Sequence, residues 1–268
     1  NPPDMSRWKD MLCRLCEPKH HVKIGVVGKY IDLQDAYKSV YEAVTHGGGA
    51  NDCGVEIVRV DSEAIENNGG VKNLDGLSGV LVPGGFGERG IEGKIRAAQY
   101  ARENGVPYLG LCLGMQIASI EFARNELGLE GAHSAEFVPD SPHPIIALLD
   151  EQQNVTDMGG TMRLGAQPCK LKDGSRAADL YNASEVSERH RHRYEFNNDY
   201  RAQFEEAGFV FSGTSPDGGL VELIELKNHP FYMASQFHPE FLSKPVRPHP
   251  LFAGFIKAAR EHATTSGS

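Results

Sequence analysis

Long apolar runs, an excess of positive charge and a regular cysteine framework are all missing from this 268-residue chain. No apolar stretch approaches the ~20 residues that a membrane-spanning helix needs, so a membrane protein is not expected. The opening residues do not read as a secretory signal peptide. A formal net charge of -9 removes the basic footprint of a nucleic-acid binder. The five cysteines (Cys13, Cys16, Cys53, Cys112 and Cys169) are an odd set without framework spacing, which points to a reducing, cytoplasmic setting. Cys13-Arg14-Leu15-Cys16 has the spacing of a redox or metal pair. No second pair follows at zinc spacing, and no thioredoxin-like strand precedes it. It reads as an exposed helix with two incidental thiols. His190 and His192 have no partner acids at ligand spacing, so no metal is expected.

What is present suits one large globular domain, with 40% hydrophobic and 24% charged residues and no internal repeat. Residues 1–20 read as an amphipathic leader, with Met5, Trp8, Met11, Leu12 and Leu15 at helical spacing. Residues 22–27 form a buried-strand run that ends at Gly28-Lys29-Tyr30. Asp35 is placed to cap a helix through Ala36, Val40, Ala43 and Val44, closed by Gly47-Gly48-Gly49. Strands follow at 55–60 and 79–82, a helix at 90–104, the strand before Cys112, a helix at 115–125 and a strand at 145–149. This alternation predicts an α/β fold, a doubly wound and mostly parallel sheet with helices on both faces. The second half predicts antiparallel additions at 162–171, 209–212, 220–226 and 231–237. Residues 152–160 read as a lid loop, 251–263 as a terminal helix and 264–268 as a disordered tail, which leaves 21–263 as the domain.

The chemistry concentrates in two places. Gly110-Leu111-Cys112-Leu113-Gly114 follows the apolar run Val106-Pro107-Tyr108-Leu109 and precedes a helix. Gly-x-Cys-x-Gly between strand and helix is the cysteine form of the nucleophile elbow, where small flanking residues let neighbouring backbone pass close. Far downstream, His238-Pro239-Glu240 puts a base and an acid two residues apart, on one side of an extended segment. Taken singly, the thiol reads as well as a small buried hydrophobe, and His-Pro-Glu as a turn. Between them, Gly85-Phe86-Gly87-Glu88-Arg89-Gly90 spells a dinucleotide fingerprint. It follows a later strand than the first, and the next strand ends at Cys112 instead of a ribose-binding acid. An oxyanion hole is the better reading: backbone N–H groups of Gly84 or Gly85, with that of Leu113 as the second donor.

Together these motifs, with Met115-Gln116 after the elbow, resemble the class I, triad-type glutamine amidotransferases. Further segments resemble one branch, which couples glutamine hydrolysis to the amination of UTP to CTP. They are Gly28-Lys29-Tyr30, Asp35-Ala36-Tyr37-Lys38-Ser39-Val40, Gly159-Gly160-Thr161-Met162-Arg163-Leu164-Gly165 and Arg189-His190-Arg191-His192-Arg193-Tyr194-Glu195. The likeness runs over residues 23–259.

The resemblance implies L-glutamine as substrate, Cys112 as nucleophile, His238 as acid and base, and Glu240 as its orienting partner. It puts the glutamine α-ammonium on Glu136 and the α-carboxylate on Arg193, with Phe86, Gln116 and Tyr194 lining the pocket. Without it, Glu136 reads as a solvated surface acid. Arg163 enters as an effector or lid residue, with a structural ion pair as the alternative. No cofactor is implied for glutamine hydrolysis. ATP, Mg and a GTP effector belong to the full enzyme, whose N-terminal amidoligase domain has no counterpart here. Residues 1–20 would be the linker out of it. The glutaminase alone is expected to be monomeric, and the full enzyme a homotetramer. Three alternatives stay open: a glutaminase serving another synthetase, a γ-glutamyl peptidase with the same triad, and a nucleotide-binding module built on the glycine loop.

Overall fold

The computed structural model describes residues 3–30, 33–66, 70–148 and 162–266. Twelve strands are found among them: β1 His20–Gly28, β2 Cys53–Asp61, β3 Gly79–Val82, β4 Tyr108–Leu111, β5 His133–Ser134, β6 Pro144–Ala147, β7 Arg163–Leu171, β8 Glu185–His192, β9 Glu195–Phe196, β10 Phe209–Thr214, β11 Val221–Leu226 and β12 Tyr232–Ser235. Nine form one sheet, in the order β2-β1-β3-β4-β12-β11-β10-β7-β8. The first five in that order run parallel, and the joins from β12 through β8 are antiparallel. The doubly wound fold with antiparallel additions is therefore present.

Period-two alternation explains why the central strands are apolar throughout. Val80 and Val82 enter one core, packed under the helices Ile91–Glu103 and Leu113–Asn125. Leu81, Leu109 and Leu111 enter the other, under the helices Lys38–Ala50 and Pro250–Ser266. Strands covered on both faces have no solvent side on which to place a polar residue.

Several expectations are corrected. Gly47-Gly48-Gly49 does not close its helix; Lys38–Ala50 runs through it. A Cβ on Gly47 would stand 2.7 Å from the Phe252 carbonyl oxygen, and one on Gly48 2.5 Å from that of Cys53. The glycines serve close packing against the terminal helix and β2, not termination. Among the described residues Asp35 does not cap the helix; it lies in a 3-10 turn, Gln34–Tyr37, with no side-chain capping bond. The terminal helix continues to Ser266, through part of the expected disordered tail. The 145–149 strand starts one residue earlier, as β6, and joins a separate sheet, β5-β6-β9. β8 has no counterpart among the expected strands, because its outward side is charged. The expected lid at 152–160 lies outside the described residues.

The parallel half decides the position of the site. β3, β4 and β12 are neighbours and point the same way. Their carboxyl ends lead directly into Gly84, Cys112 and Gln236-Phe237-His238. Three segments far apart in sequence thus end at one sheet edge, the usual location of sites in open α/β sheets.

Candidate active site

Cys112 sits between β4 and the helix Leu113–Asn125 with φ 51° and ψ -101°. A non-glycine residue held at positive φ is strained, and such strain persists only where its surroundings fix it. Here the fixing contacts are visible. The Cys112 N–H donates to the Ser235 carbonyl at 2.6 Å, and its own carbonyl accepts from the Met115 N–H at 3.0 Å. Gly114 has no room for a side chain, since a Cβ would stand 2.2 Å from the Val82 carbonyl oxygen. A Cβ on Gly110 would meet the Gly114 carbonyl at 2.6 Å. Both glycines of the motif are thus required by close backbone approach.

His238 follows β12 by three residues, and its N–H donates to the Arg189 carbonyl at 2.8 Å. Its Nδ1 lies 2.8 Å from Glu240 Oε1. The short Pro239–Phe241 helix turns Glu240 back beneath the ring. Burial pulls the imidazole pKa down, but Cys112 and Glu240 outweigh it and push it up to about 10. The imidazolium is therefore favoured at neutral pH, with Nδ1 on Glu240 and Nε2 buried. Gly84 presses against this pair: a Cβ there would stand 2.9 Å from His238 Cε1 and 3.6 Å from Cys112 Cβ. Among the described residues, nothing accepts a hydrogen bond from the backbone N–H of Gly84, Gly85 or Leu113. Free donors beside a nucleophile are what an oxyanion hole requires.

Cys112, His238, Glu240, Gly84 and Gly85 line a cavity of ≈ 260 Å³. Phe86 and Arg191 close part of its rim, with the guanidinium 5.7 Å from the ring centroid. Phe86 is mostly exposed, and its carbonyl accepts from Lys29 Nζ.

Gln116, Glu136, Arg193 and Tyr194 do not line that cavity. The small sheet groups them elsewhere. Glu136 follows β5 by two residues, Arg193 precedes β9 by two, and β6 pairs with both strands. The surrounding protein raises the Glu136 pKa and Arg193 opposes that rise, so the two charges sense each other. Glu136 keeps an exposed face. Gln116 is buried, and its Nε2 donates to the Tyr194 carbonyl at 3.3 Å and to Gln236 Oε1 at 3.4 Å. Gln236 in turn donates from Nε2 to Cys112 Sγ at 3.6 Å. Sequence reasoning missed Gln236. The signal was there: it stands two residues before His238 and so shares its side of the segment.

Arg163 is turned inward, toward two buried acids. Its Nη1 lies 2.7 Å from Glu222 Oε1 and 3.5 Å from Glu195 Oε1, both buried acids. His192 Nε2 meets Glu195 at 2.7 Å. His190 packs between His192 and Phe237; burial, with Arg163 and His192 beside it, holds its pKa down to about 2. On β8 the two histidines face inward while Arg189 and Arg191 face solvent. Arg193 lies beyond the end of the strand, so it does not continue that outward row.

Comparison with known proteins agrees with this geometry. Residues 32–258 match the family described as Glutamine amidotransferase class-I. The chain is 61% identical to a CTP synthase of Halalkalibacterium halodurans, over 96% of this chain and 48% of that protein. It is 57% identical to the CTP synthase of Bacillus subtilis, over 97% of this chain and 49% of that one. It thus spans about half the length of the curated relatives it matches. The glutaminase domain of Trypanosoma brucei CTPS, solved with bound acivicin, superposes with a TM-score of 0.85 at 40% identity. That match covers 90% of this chain and 94% of the trypanosomal one. A glutamine amidotransferase of Thermotoga maritima, 12% identical with a TM-score of 0.51 over 91% of this chain and 98% of that chain, shares the fold.

Proposed function

From the premise that this chain belongs to the class I glutamine amidotransferase family, we propose that it hydrolyses L-glutamine to glutamate and ammonia through a Cys112 thioester. The supporting observation is the meeting of Cys112, the His238–Glu240 pair and unbonded backbone N–H groups at the ends of three adjacent parallel strands.

Cys112 Sγ attacks the side-chain amide carbon, and the carbonyl electron pair moves to oxygen. The N–H groups of Leu113 and of Gly84 or Gly85 hold that oxyanion. His238 passes its proton to the amide nitrogen, the C–N bond breaks and ammonia leaves. The neutral imidazole then takes a proton from water, whose oxygen attacks the thioester. Collapse breaks the C–S bond, releases glutamate and returns the electron pair to sulfur. Glu240 stabilises the imidazolium and fixes the ring. Although outside the lining of the Cys112 cavity, Glu136 and Arg193 are assigned the α-ammonium and α-carboxylate, on the side of the sulfur where Gln236, Gln116 and Tyr194 follow one another, with Phe86 at the cavity rim.

No cofactor is needed for this half-reaction. In the whole protein, the ammonia would pass to an amidoligase that aminates UTP to CTP with ATP and Mg, with GTP as effector. The half-length match to CTP synthases supports that assignment.

Intact mass after incubation with acivicin tests the reading. Wild type is expected to gain one adduct, lost in Cys112→Ala and blocked by glutamine but not by glutamate. Labelling shared among Cys13, Cys16 and Cys112 would overturn it. Turnover of γ-glutamyl peptides in preference to glutamine would support the peptidase instead.

A further inference from the structure

The sulfur of Cys112 has a neighbour other than the triad histidine. In the parallel pairing of β4 with β12, Leu111 stands opposite Ser235. The next residues, Cys112 and Gln236, therefore face each other beyond the strand ends. Gln236 is wholly buried, and its backbone N–H is held by the Glu222 carbonyl at 2.9 Å.

Hydrogen-bond bookkeeping determines which end of the Gln236 amide faces the sulfur. The Tyr194 backbone carbonyl can only accept. The Gln116 side-chain atom 3.3 Å from it is therefore the NH2 group. That same nitrogen lies 3.4 Å from one end of the Gln236 amide, which must be its oxygen. The remaining end, 3.6 Å from Cys112 Sγ, is the NH2. A carbonyl that cannot flip thus dictates, through two buried amides, that a donor points at the sulfur.

We propose that Gln236 is a further catalytic residue, whose N–H stabilises and aims the Cys112 thiolate, and that Gln116 is the positioning residue that holds it donor-first. A buried N–H favours an anionic sulfur far more than a neutral one, because charge-assisted bonds are the strong ones. The same donor serves thioester breakdown: when the C–S bond breaks, the electron pair moves onto sulfur, and the Gln236 N–H is already aimed there. Tyr194 follows Arg193 directly, so the relay begins next to the residue assigned to the substrate carboxylate.

The inference rests on Cys112 being the nucleophile of the glutaminase reading. Its test reads the sulfur without glutamine, so the two can fail separately. Cys112 alkylation by iodoacetamide is followed by intact mass between pH 5 and 9, in wild type, Gln236→Leu, Gln236→Glu and Gln116→Leu. In Gln236→Leu, alkylation near neutral pH should slow about tenfold, with the gap closing at alkaline pH. Its kcat should fall in step while KM for glutamine stays within about twofold of wild type, as loss of a group that acts on the reacting atom requires. Gln236→Glu should be slower still, since a carboxylate then faces the sulfur. Gln116→Leu should fall between, because the Gln236 amide is then free to rotate. A wild-type pH profile in folded Gln236→Leu overturns the inference. If that variant does not fold, a wild-type profile in Gln236→Glu, which keeps the shape, overturns it equally. Altered alkylation profiles in a protein that does not turn over glutamine would refute the glutaminase reading and leave the donor assignment standing.

Discussion

Replacing Arg163 with Met should cost far more stability than removal of a surface arginine. The guanidinium sits 2.7 Å from Glu222 and 3.5 Å from Glu195, and neither acid side chain reaches solvent. His190 stands 3.5 Å from Glu222 but is no replacement cation, because burial, the largest influence on its ring, remains after the substitution. Removing one partner of a buried pair costs about 3–5 kcal/mol. Arg163 keeps a little exposure, which favours the lower end, about 3 kcal/mol. At about 2–4 °C per kcal/mol, that lowers Tm by about 6–12 °C. The deficit also depends on pH. Burial raises the Glu222 pKa above 4.5, and Arg163 opposes that rise. Without Arg163 the folded-state pKa climbs further. A carboxyl raised in the folded state binds protons more tightly there than in the unfolded chain. Stability is then lost as pH rises through the window between those two values. Glu222 of the variant keeps its proton to higher pH than in the wild type, so the deficit should be smaller at pH 5 than at pH 7.5. Urea denaturation at both pH values reads this directly, and adding Glu222→Gln should recover part of the loss at pH 7.5. A deficit under about 1 kcal/mol, or one equal at both pH values, would refute the buried-pair reasoning.

Two further outcomes follow from other positions. Gly84→Ala would place its Cβ 2.9 Å from His238 Cε1, against a ring already held by Glu240. Glutaminase kcat should drop on the order of 10²-fold with little change in Tm, since sub-ångström misplacement of a catalytic group is that costly; a kcat within a factor of three of wild type would exclude so close an approach. Lys94 is buried, and burial followed by repulsion from Lys29 and Arg89 lowers its pKa to about 8. A lysine depressed in the folded state costs stability below that pKa, and the cost fades as pH rises toward its unfolded value. Lys94→Met should therefore stabilise the protein at pH 7 by about 2 kcal/mol, with the gain shrinking from about pH 8 upward and gone above 10.5 in thermal melts. A destabilised variant at pH 7 would show that the ammonium is well solvated or paired.

Short-range features were legible from the amino-acid order alone. The elbow could be read because its requirements are local. A strand must turn sharply into a helix, and only glycine permits the approaches found at Gly110 and Gly114. His238 and Glu240 could be read as a pair from their nearness in sequence, although the turn of the Pro239–Phe241 helix, not the expected extended alternation, brings Glu240 to the ring. The alternating apolar strands disclosed a sheet covered on both faces. In each case the pattern occupies a few residues, even where the contact that demands it, such as that of Gly114 with Val82, is long-range.

Other features depend on which segments meet, and that is settled by long-range packing. The Gly47-Gly48-Gly49 run looked like a helix terminator, because a glycine's neighbour in space cannot be read from its neighbours in sequence. Phe252 and Cys53 supply those neighbours. Arg163 carried no local mark of its acidic partners, as Glu195 and Glu222 lie 32 and 59 residues downstream. Gln236 shows the division most clearly. Its alternation with His238 is written in the sequence, but the sulfur that it faces is 124 residues away. Only the parallel pairing of β4 with β12 brings amide and thiol together, because strand register is a tertiary decision made by whole apolar faces seeking burial.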